Sequence, residues 1–343
     1  MKKTWYTLGI VWMIILAMTG CVQRADKEND SLEEEKLQIG FSADSFVIER
    51  WIRDRDVFVS TAQELGAEVN VQNASGDVQE QISQIEYFIQ KKMQVIVVVA
   101  IDSKALTEVM QKAKEAGIKT ICYDRLIEGA NADLYISFDN VRVGTLMAEG
   151  LIENNPQGGK VFMIQGSVSD NNVELVRQGF LEEIDNSNLE VVYSENCEEW
   201  YAEHAYTYAM EGLKEHPEVV GIMSGNDDLA GQVFRALSLN QLAGIVDLVG
   251  QDSDSSACQR IVEGTQTMTI YKSVDEIATA AAQYAVKLAK GEDIQVEETI
   301  YDGSYNIAYY GLEPVSVNAE NIDEIIIGSG FHAREDVYLN INE

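Results

Sequence analysis

Beyond residue 36 the chain alternates short apolar runs with longer stretches in which apolar residues recur every three or four positions. Residues 37–41 (LQIGF) read as a strand, followed by a helical stretch carrying Val47, Trp51, Val57, Ala62 and Leu65. A second strand over 67–71 leads to a helix that places Ile82, Ile85, Phe88 and Ile89 on one face. Residues 94–100 (QVIVVVA) are apolar almost throughout, the pattern of a parallel strand covered on both faces. A helix over 104–116 and a strand over 118–123 (IKTICY) repeat the unit. The series predicts a parallel sheet with helices on both faces and right-handed crossovers.

After a long helix over 141–152 the rhythm restarts near Gln157-Gly158-Gly159. Strands are predicted at 160–165 (KVFMIQ), 189–193, 219–224 (VVGIMS) and 245–250 (IVDLVG), separated by helix-length segments. A strand over 267–271 (TMTIY) then leads into an Ala-rich helix over 274–290 and a β-rich tail over 299–327. Two successive open sheets predict an α/β protein of two doubly wound lobes, and a length of 343 residues agrees with about two domains.

The first residues follow a different pattern. Lys2 and Lys3 precede an apolar run from Trp5 to Met18 that stops at Thr19-Gly20, directly before Cys21. A basic start, a short apolar run and small residues before a cut form a secretory signal over 1–20, too short for a confident membrane span. The small pair before Cys21 resembles a bacterial lipobox, in which the Cys carries diacylglycerol, although Met18 stands where Leu is usual. An ordinary secretory cleavage nearby is the alternative. Residues 21–36 continue from that Cys into a polar, charged segment without an apolar face, and read as a flexible tether. This predicts an extracytoplasmic location, lipid-anchored to the outer face of the cell membrane.

Composition narrows the function classes. Hydrophobic residues at 46% with only 3 Pro describe a globular chain, but 57 acidic against 25 basic residues give a net charge of −32, which repels phosphate backbones and argues against nucleic-acid binding. Three His and four Cys are too few and too scattered for a zinc site or a disulfide framework, so neither metal nor cofactor is expected. Cys122 reads as a buried small hydrophobe, and pairing of Cys197 with Cys258 stays open.

In an open parallel sheet, ligands sit beyond the carboxyl ends of the strands. The residues there are Asp44, Glu49, Arg50 and Trp51; Asp124-Arg125; Asp139-Asn140; Asp170-Asn171-Asn172; Asn226-Asp227-Asp228; Gln251-Asp252; and Lys272, with Glu199-Trp200 in a further loop. This mix of carboxylates, amides, cations and indoles suits a neutral polyhydroxylated ligand, whose hydroxyls both donate and accept and whose C–H face packs on an aromatic ring. Bland readings compete: Trp51 as helix core, Trp200 as a helix-start anchor, Asp124 and Asp252 as N-caps, Arg125 and Lys272 as solvated charges. Asp124 and Asp252 as a glycosidase pair is disfavoured by the cationic or amide neighbour beside each, and no G-x-S-x-G, H-E-x-x-H or phosphate-loop motif occurs, so an enzyme is not expected.

The segments Glu49-Arg50-Trp51, Asp54-Arg55-Asp56, Tyr123-Asp124-Arg125, 135–140 (YISFDN), Asp170-Asn171-Asn172, Gly250-Gln251-Asp252, 264–272 (GTQTMTIYK) and Gly330-Phe331-His332 closely resemble the D-xylose-binding group of the bacterial periplasmic sugar-binding family. The likeness runs from about Leu37 to His332. It implies a type I periplasmic binding protein fold, akin to the ribose- and galactose-binding proteins: two lobes joined by a three-strand hinge, residues 37–140 plus about 273–305 forming the N-terminal lobe and 141–272 plus about 306–343 the C-terminal one. It further implies that Arg50, Asp124, Arg125, Asp170, Asn172, Asn226, Asp252 and Lys272 are polar sugar ligands, with Trp51 and Trp200 sandwiching the ring. The acidic surface and the Tyr-containing stretch 301–310 depart from the family pattern, which bears on the partner rather than the sugar. The implied function is a binding protein that closes around D-xylose or a close monosaccharide and presents it to the permease of an ABC importer. The alternative is a sensor that signals through a membrane histidine kinase. A sugar-responsive repressor would need an N-terminal helix-turn-helix and a basic face.

Overall fold

The computed structural model describes residues 36–341. The expected signal, Cys21 and all but the last residue of the tether lie outside them. The first sheet is built from β1 (Leu37–Ala43), β2 (Ala67–Asn73), β3 (Val95–Val98), β4 (Lys119–Tyr123) and β5 (Leu134–Phe138). Between them run α1 (Arg50–Glu64), α2 (Val78–Gln90) and α3 (Thr107–Glu115). Val47, expected in the first helix, precedes it and is 82% exposed. All neighbours among β1 to β5 are parallel, in the order β5-β4-β3-β1-β2. The chain leaves β1 in one direction and resumes at β3 in the other, which makes the switch point where such sheets bind ligands.

The second sheet repeats the plan with α4 (Asn140–Asn154), β6 (Gly159–Gln165), α5 (Asn171–Ile184), β7 (Leu189–Asn196), α6 (Ala202–Glu215), β8 (Val219–Ser224), α7 (Asp227–Leu239), β9 (Asp247–Gln251), α8 (Ser255–Val262) and β10 (Met268–Tyr271). Its strand order is β10-β9-β8-β6-β7, again parallel. The chain then returns: α9 (Val274–Ala289) lays Ile277, Ala278, Ala281, Ala282 and Ala285 into the core of the first sheet. The hairpin β11 (Thr299–Tyr301) and β12 (Asn306–Leu312) extends that sheet beside β5, and β13 (Val315–Val317) pairs antiparallel with β10. The lobes are therefore joined at 139–140, 272–273 and 313–314.

Two expectations need correction. The last crossing, expected near 305, falls after Leu312, because β12 pairs in parallel with β5 from Tyr309 to Leu312. The end of the β-rich tail is helical over Asp323–Ile327, which tucks Ile326 under Phe331 and Val337 in a small separate cluster. The three cysteines among the described residues, Cys122, Cys197 and Cys258, are free and buried, and Cys197 and Cys258 lie in different apolar clusters. No disulfide joins them.

Each sheet has an apolar layer on both faces. Phe41, Phe58, Val97 and Ile136 fill one side of the first and Ile85, Phe88, Ile96 and Met110 the other; Met147, Phe180 and Val249 face Phe162, Ile222 and Val233 across the second. In the second lobe α4 and α5 cross so closely that a methyl on Gly144 would lie 1.9 Å from the Val176 carbonyl oxygen, and one on Gly179 would lie 1.9 Å from that of Val141. The obstacles are backbone and cannot rotate away. Gly179→Ala is expected to cost about 2 kcal/mol or more of stability by forcing the helices apart. Urea denaturation checks this, and an unchanged midpoint would refute the close crossing.

Candidate functional site

Several of the loops after the strands end in a residue that caps the next helix and so fixes its start. Asp139, Asp170, Asn226 and Ser273 accept from backbone N–H groups at the starts of α4, α5, α7 and α9, each cap contributing about 1 kcal/mol. Asp124 and Asp252, the other cap candidates, cap nothing and have left-handed backbones, with φ 62° and 97°. Ser253 (φ 54°), Glu199 (φ 52°) and Trp200 (φ 58°) share this conformation. Such backbone is costly for residues with a side chain and persists only where the surroundings enforce it. Asp124 is enforced by its N–H on Ile136 O at 2.8 Å and by the hydroxyls of Ser137 and Tyr135 on its carbonyl, at 2.6 and 3.1 Å.

These loops enclose one cavity with an empty volume of about 500 Å³. Arg50, Trp51, Asp124 and Arg125 line it from the first lobe, Asp170, Asn172, Trp200, Asn226 and Asp252 from the second, and Lys272 from the middle crossing. Arg125 and Lys272 are only 4% and 6% exposed, so neither is a solvated charge. Trp51 packs in the core of α1 and also faces the cavity; Trp200 ends a short 3-10 turn (Glu198–Trp200) rather than opening a helix. Ile48, Asn140, Gln165, Gly166, Val173, Val176, Met223, Gly225 and Gln251 complete the lining. Of these, the sequence pattern marked Asn140 and Gln251; most of the others are apolar or glycine and carry no chemical signature, and Val173 and Val176 lie within α5.

Ion pairs stitch the walls. Arg50 reaches Asp54 (3.2 Å), Asp124 (3.0 Å) and, across the cleft, Asp252 (3.6 Å). Arg125 reaches Asp44 (2.8 Å) and, across the cleft, Asp170 (2.7 Å), while Lys272 Nζ lies 2.7 Å from Asp252 Oδ1. The Asn172 side-chain amide donates to Asp124 O at 3.0 Å, a further bond between lobes. Burial pushes the Asp124 carboxyl up, but Arg50, Lys272 and Arg125 together outweigh it and hold the group below its ordinary value. At Asp170 burial wins over Arg125 and the group rises. Both indole N–H groups, Arg50 Nη1, Gln165 Oε1 and Gln251 Oε1 are buried without a hydrogen-bond partner among the described residues, which is uncommon for polar atoms and leaves donors and acceptors on the cavity wall. Among the described residues no group of His, Cys, Asp and Glu could hold a metal ion.

The architecture matches a known family model, the periplasmic binding protein domain, over residues 39–293. The chain belongs to the periplasmic binding protein family. Among its relatives, the D-xylose-binding periplasmic protein of Haemophilus influenzae is 40% identical over 315 residues, covering 90% of this chain and 95% of that protein. The protein of the same name from Escherichia coli is 37% identical over 314 residues, with 90% and 95% covered. Among solved structures, an ABC transporter solute-binding protein from Clostridium phytofermentans with bound β-D-glucose superposes with a TM-score of 0.80 at 26% identity, covering 88% of this chain and 99% of the other. Membership carries with it an extracytoplasmic location and a binding rather than catalytic role. No helix among the described residues is long and apolar enough to cross a membrane.

Proposed function

We propose that the protein binds D-xylose or a close monosaccharide in the interlobe cavity and delivers it to the permease of an ABC importer, held at the membrane by lipid on Cys21. The observation that carries this reading is the cavity wall itself. Arg50, Arg125 and Lys272 alternate with Asp124, Asp170 and Asp252 between two indoles, and unpartnered donors and acceptors face inward. Fixed, mutually neutralised charges of this kind recognise hydroxyls by charge-assisted hydrogen bonds without demanding a charged ligand. The names of the xylose-binding relatives support the choice of sugar. Arg50, Asp124, Arg125, Asp170, Asn172, Asn226, Asp252 and Lys272 serve as the polar ligands and Trp51 and Trp200 as the stacking faces.

Neither lobe alone desolvates the sugar, so binding favours the closed form by the contacts made only there. The permease then distinguishes closed from open by outer shape. A fluorescence titration of the chain lacking residues 1–21 tests the reading, because only Trp51 and Trp200 remain to report. D-xylose should give a saturable change; saturation by D-glucose, D-ribose or L-arabinose alone would overturn the choice of sugar. Trp200→Ala should weaken binding by about 2 kcal/mol, some thirtyfold, as loss of a buried aromatic anchor does. Unchanged affinity would refute the stacking role.

A further inference from the structure

Beside the sugar cavity, a second crevice between the lobes is walled by Val47 and Glu49 from the first and by Asp227, Asp228 and Asp254 from the second. Asp254 stands where α8 needs a cap, yet its carboxylate accepts no hydrogen bond from that helix. The residue is only 7% exposed, and no hydrogen bond or ion pair among the described residues reaches its side chain; its backbone carries the contacts, the N–H donating to Asp227 Oδ2 at 3.2 Å and the carbonyl accepting from Ala257 N and Cys258 N. A buried carboxylate left without a partner costs free energy unless it takes a proton. The crevice also holds Gln232 Oε1, a buried acceptor with no donor, which a protonated carboxyl can supply.

Negative groups face Asp254 from several directions. Glu49 comes from the start of α1 in the opposite lobe, its Oε1 3.4 Å from Ser255 N; Asp227 and Asp228 come from α7, and Asp252 from the adjoining loop. The cation packed there, Arg260 of α8, is engaged with Gln266, Ser256 and the Asp227 carbonyl. Cys258 and His332 both contact Ser253 O rather than the Asp254 carboxylate. Asp227 is held inside the second lobe by Thr269 and Gln266 whether the cleft is open or closed. Glu49 and the water-excluding wall of the first lobe arrive only on closure.

We propose that Asp254 and Glu49 form a proton-dependent latch, in which the lobes close readily while Asp254 carries a proton and less readily once it ionises. In the closed form burial first, then Asp227, Asp252, Glu49 and Asp228, hold the Asp254 carboxyl well above its ordinary value. Opening removes Glu49 and readmits water, so the open form binds this proton more weakly. Closure therefore takes up a proton, is fully favoured below the open-form value, and weakens as pH rises towards the closed-form value. Burial also holds the neighbouring Asp227 carboxyl above its ordinary value, so its ionisation adds to the repulsion as pH rises.

Two measurements on the protein test the latch. Small-angle scattering without sugar should show a larger radius of gyration at about pH 8 than at about pH 5, and calorimetry should show D-xylose affinity falling about tenfold over that range with proton uptake on binding. Asp254→Asn should flatten both, and the exposed Glu49→Gln should reduce the slope without disturbing the core. A wild type whose scattering does not change with pH, or a Glu49→Gln variant retaining the full slope, would overturn the latch. The latch concerns closure rather than the choice of ligand. If D-xylose fails to bind at any pH the sugar reading falls, while the scattering still decides the latch.

Discussion

Arg50→Met is expected to abolish measurable D-xylose binding and to lower stability by about 3 to 5 kcal/mol, the cost of removing one partner from a buried charge cluster. Arg50 is 4% exposed and faces Asp54, Asp124 and Asp252, with its guanidinium 4.5 Å above the Trp51 ring. Without it, three buried carboxylates are left with Lys272, Arg125, the Asn172 amide that donates to Asp124 Oδ1 and the Tyr123 hydroxyl that donates to Asp54. The loss should depend on pH with a definite sign. In the wild type, the lowered Asp124 carboxyl contributes stability that is present above its ordinary value and disappears as pH falls through the lowered one. Asp54 is already raised by burial, against the pull of Arg50. Removing Arg50 lifts both, so the variant should regain stability on acidification as they take protons. Urea denaturation at acid and alkaline pH reads this directly, and a loss independent of pH would refute the assignment of Arg50 as their counter-charge. Arg50→Lys should restore part of the stability but little affinity, since an ammonium cannot reproduce the planar fork.

Gly166→Ala is expected to weaken sugar binding about a hundredfold, at least as much as removing the Trp200 ring, while leaving the fold intact. A methyl at this position would lie 2.1 Å from Trp200 Cη2 and 2.2 Å from Cζ2. The indole cannot easily move aside, because Glu199 and Trp200 are both held in left-handed backbone. Nor can residue 166 retreat, since Gly225 packs so tightly behind it that its own methyl would meet Gly166 N at 2.6 Å. The ring must leave the cavity wall. Calorimetry on Gly166→Ala, Trp200→Ala and the double variant checks this: the double variant should bind no more weakly than the worse single one, whereas additive losses would show that Gly166 does not act through Trp200.

The strand ends were readable because a parallel sheet covered on both faces must be apolar, so the first polar residue after each apolar run marks its carboxyl end. That reasoning reached Asp124, Asp170, Asn226, Asp252 and Lys272 from local pattern alone. It missed Gln165, Gly166 and Met223, which belong to or flank the strands themselves and look like ordinary sheet residues. It also placed residues 306–312 with the wrong lobe. A short β-rich segment fits either sheet edge equally well, and only pairing with β5, far back in sequence, decides between them.

Periodicity by itself therefore determined two doubly wound lobes and the loops that line the cavity between them, because those follow from spacing along one chain. Tertiary structure alone decided the ion-pair partners across the cleft, the left-handed backbone at Asp124, Asp252 and Trp200, the seat of Trp200 on Gly166 and the unpaired Asp254. Each of these depends on what distant segments place within a few ångströms of one another, and neither the spacing nor the identity of neighbouring residues in the chain encodes that distance.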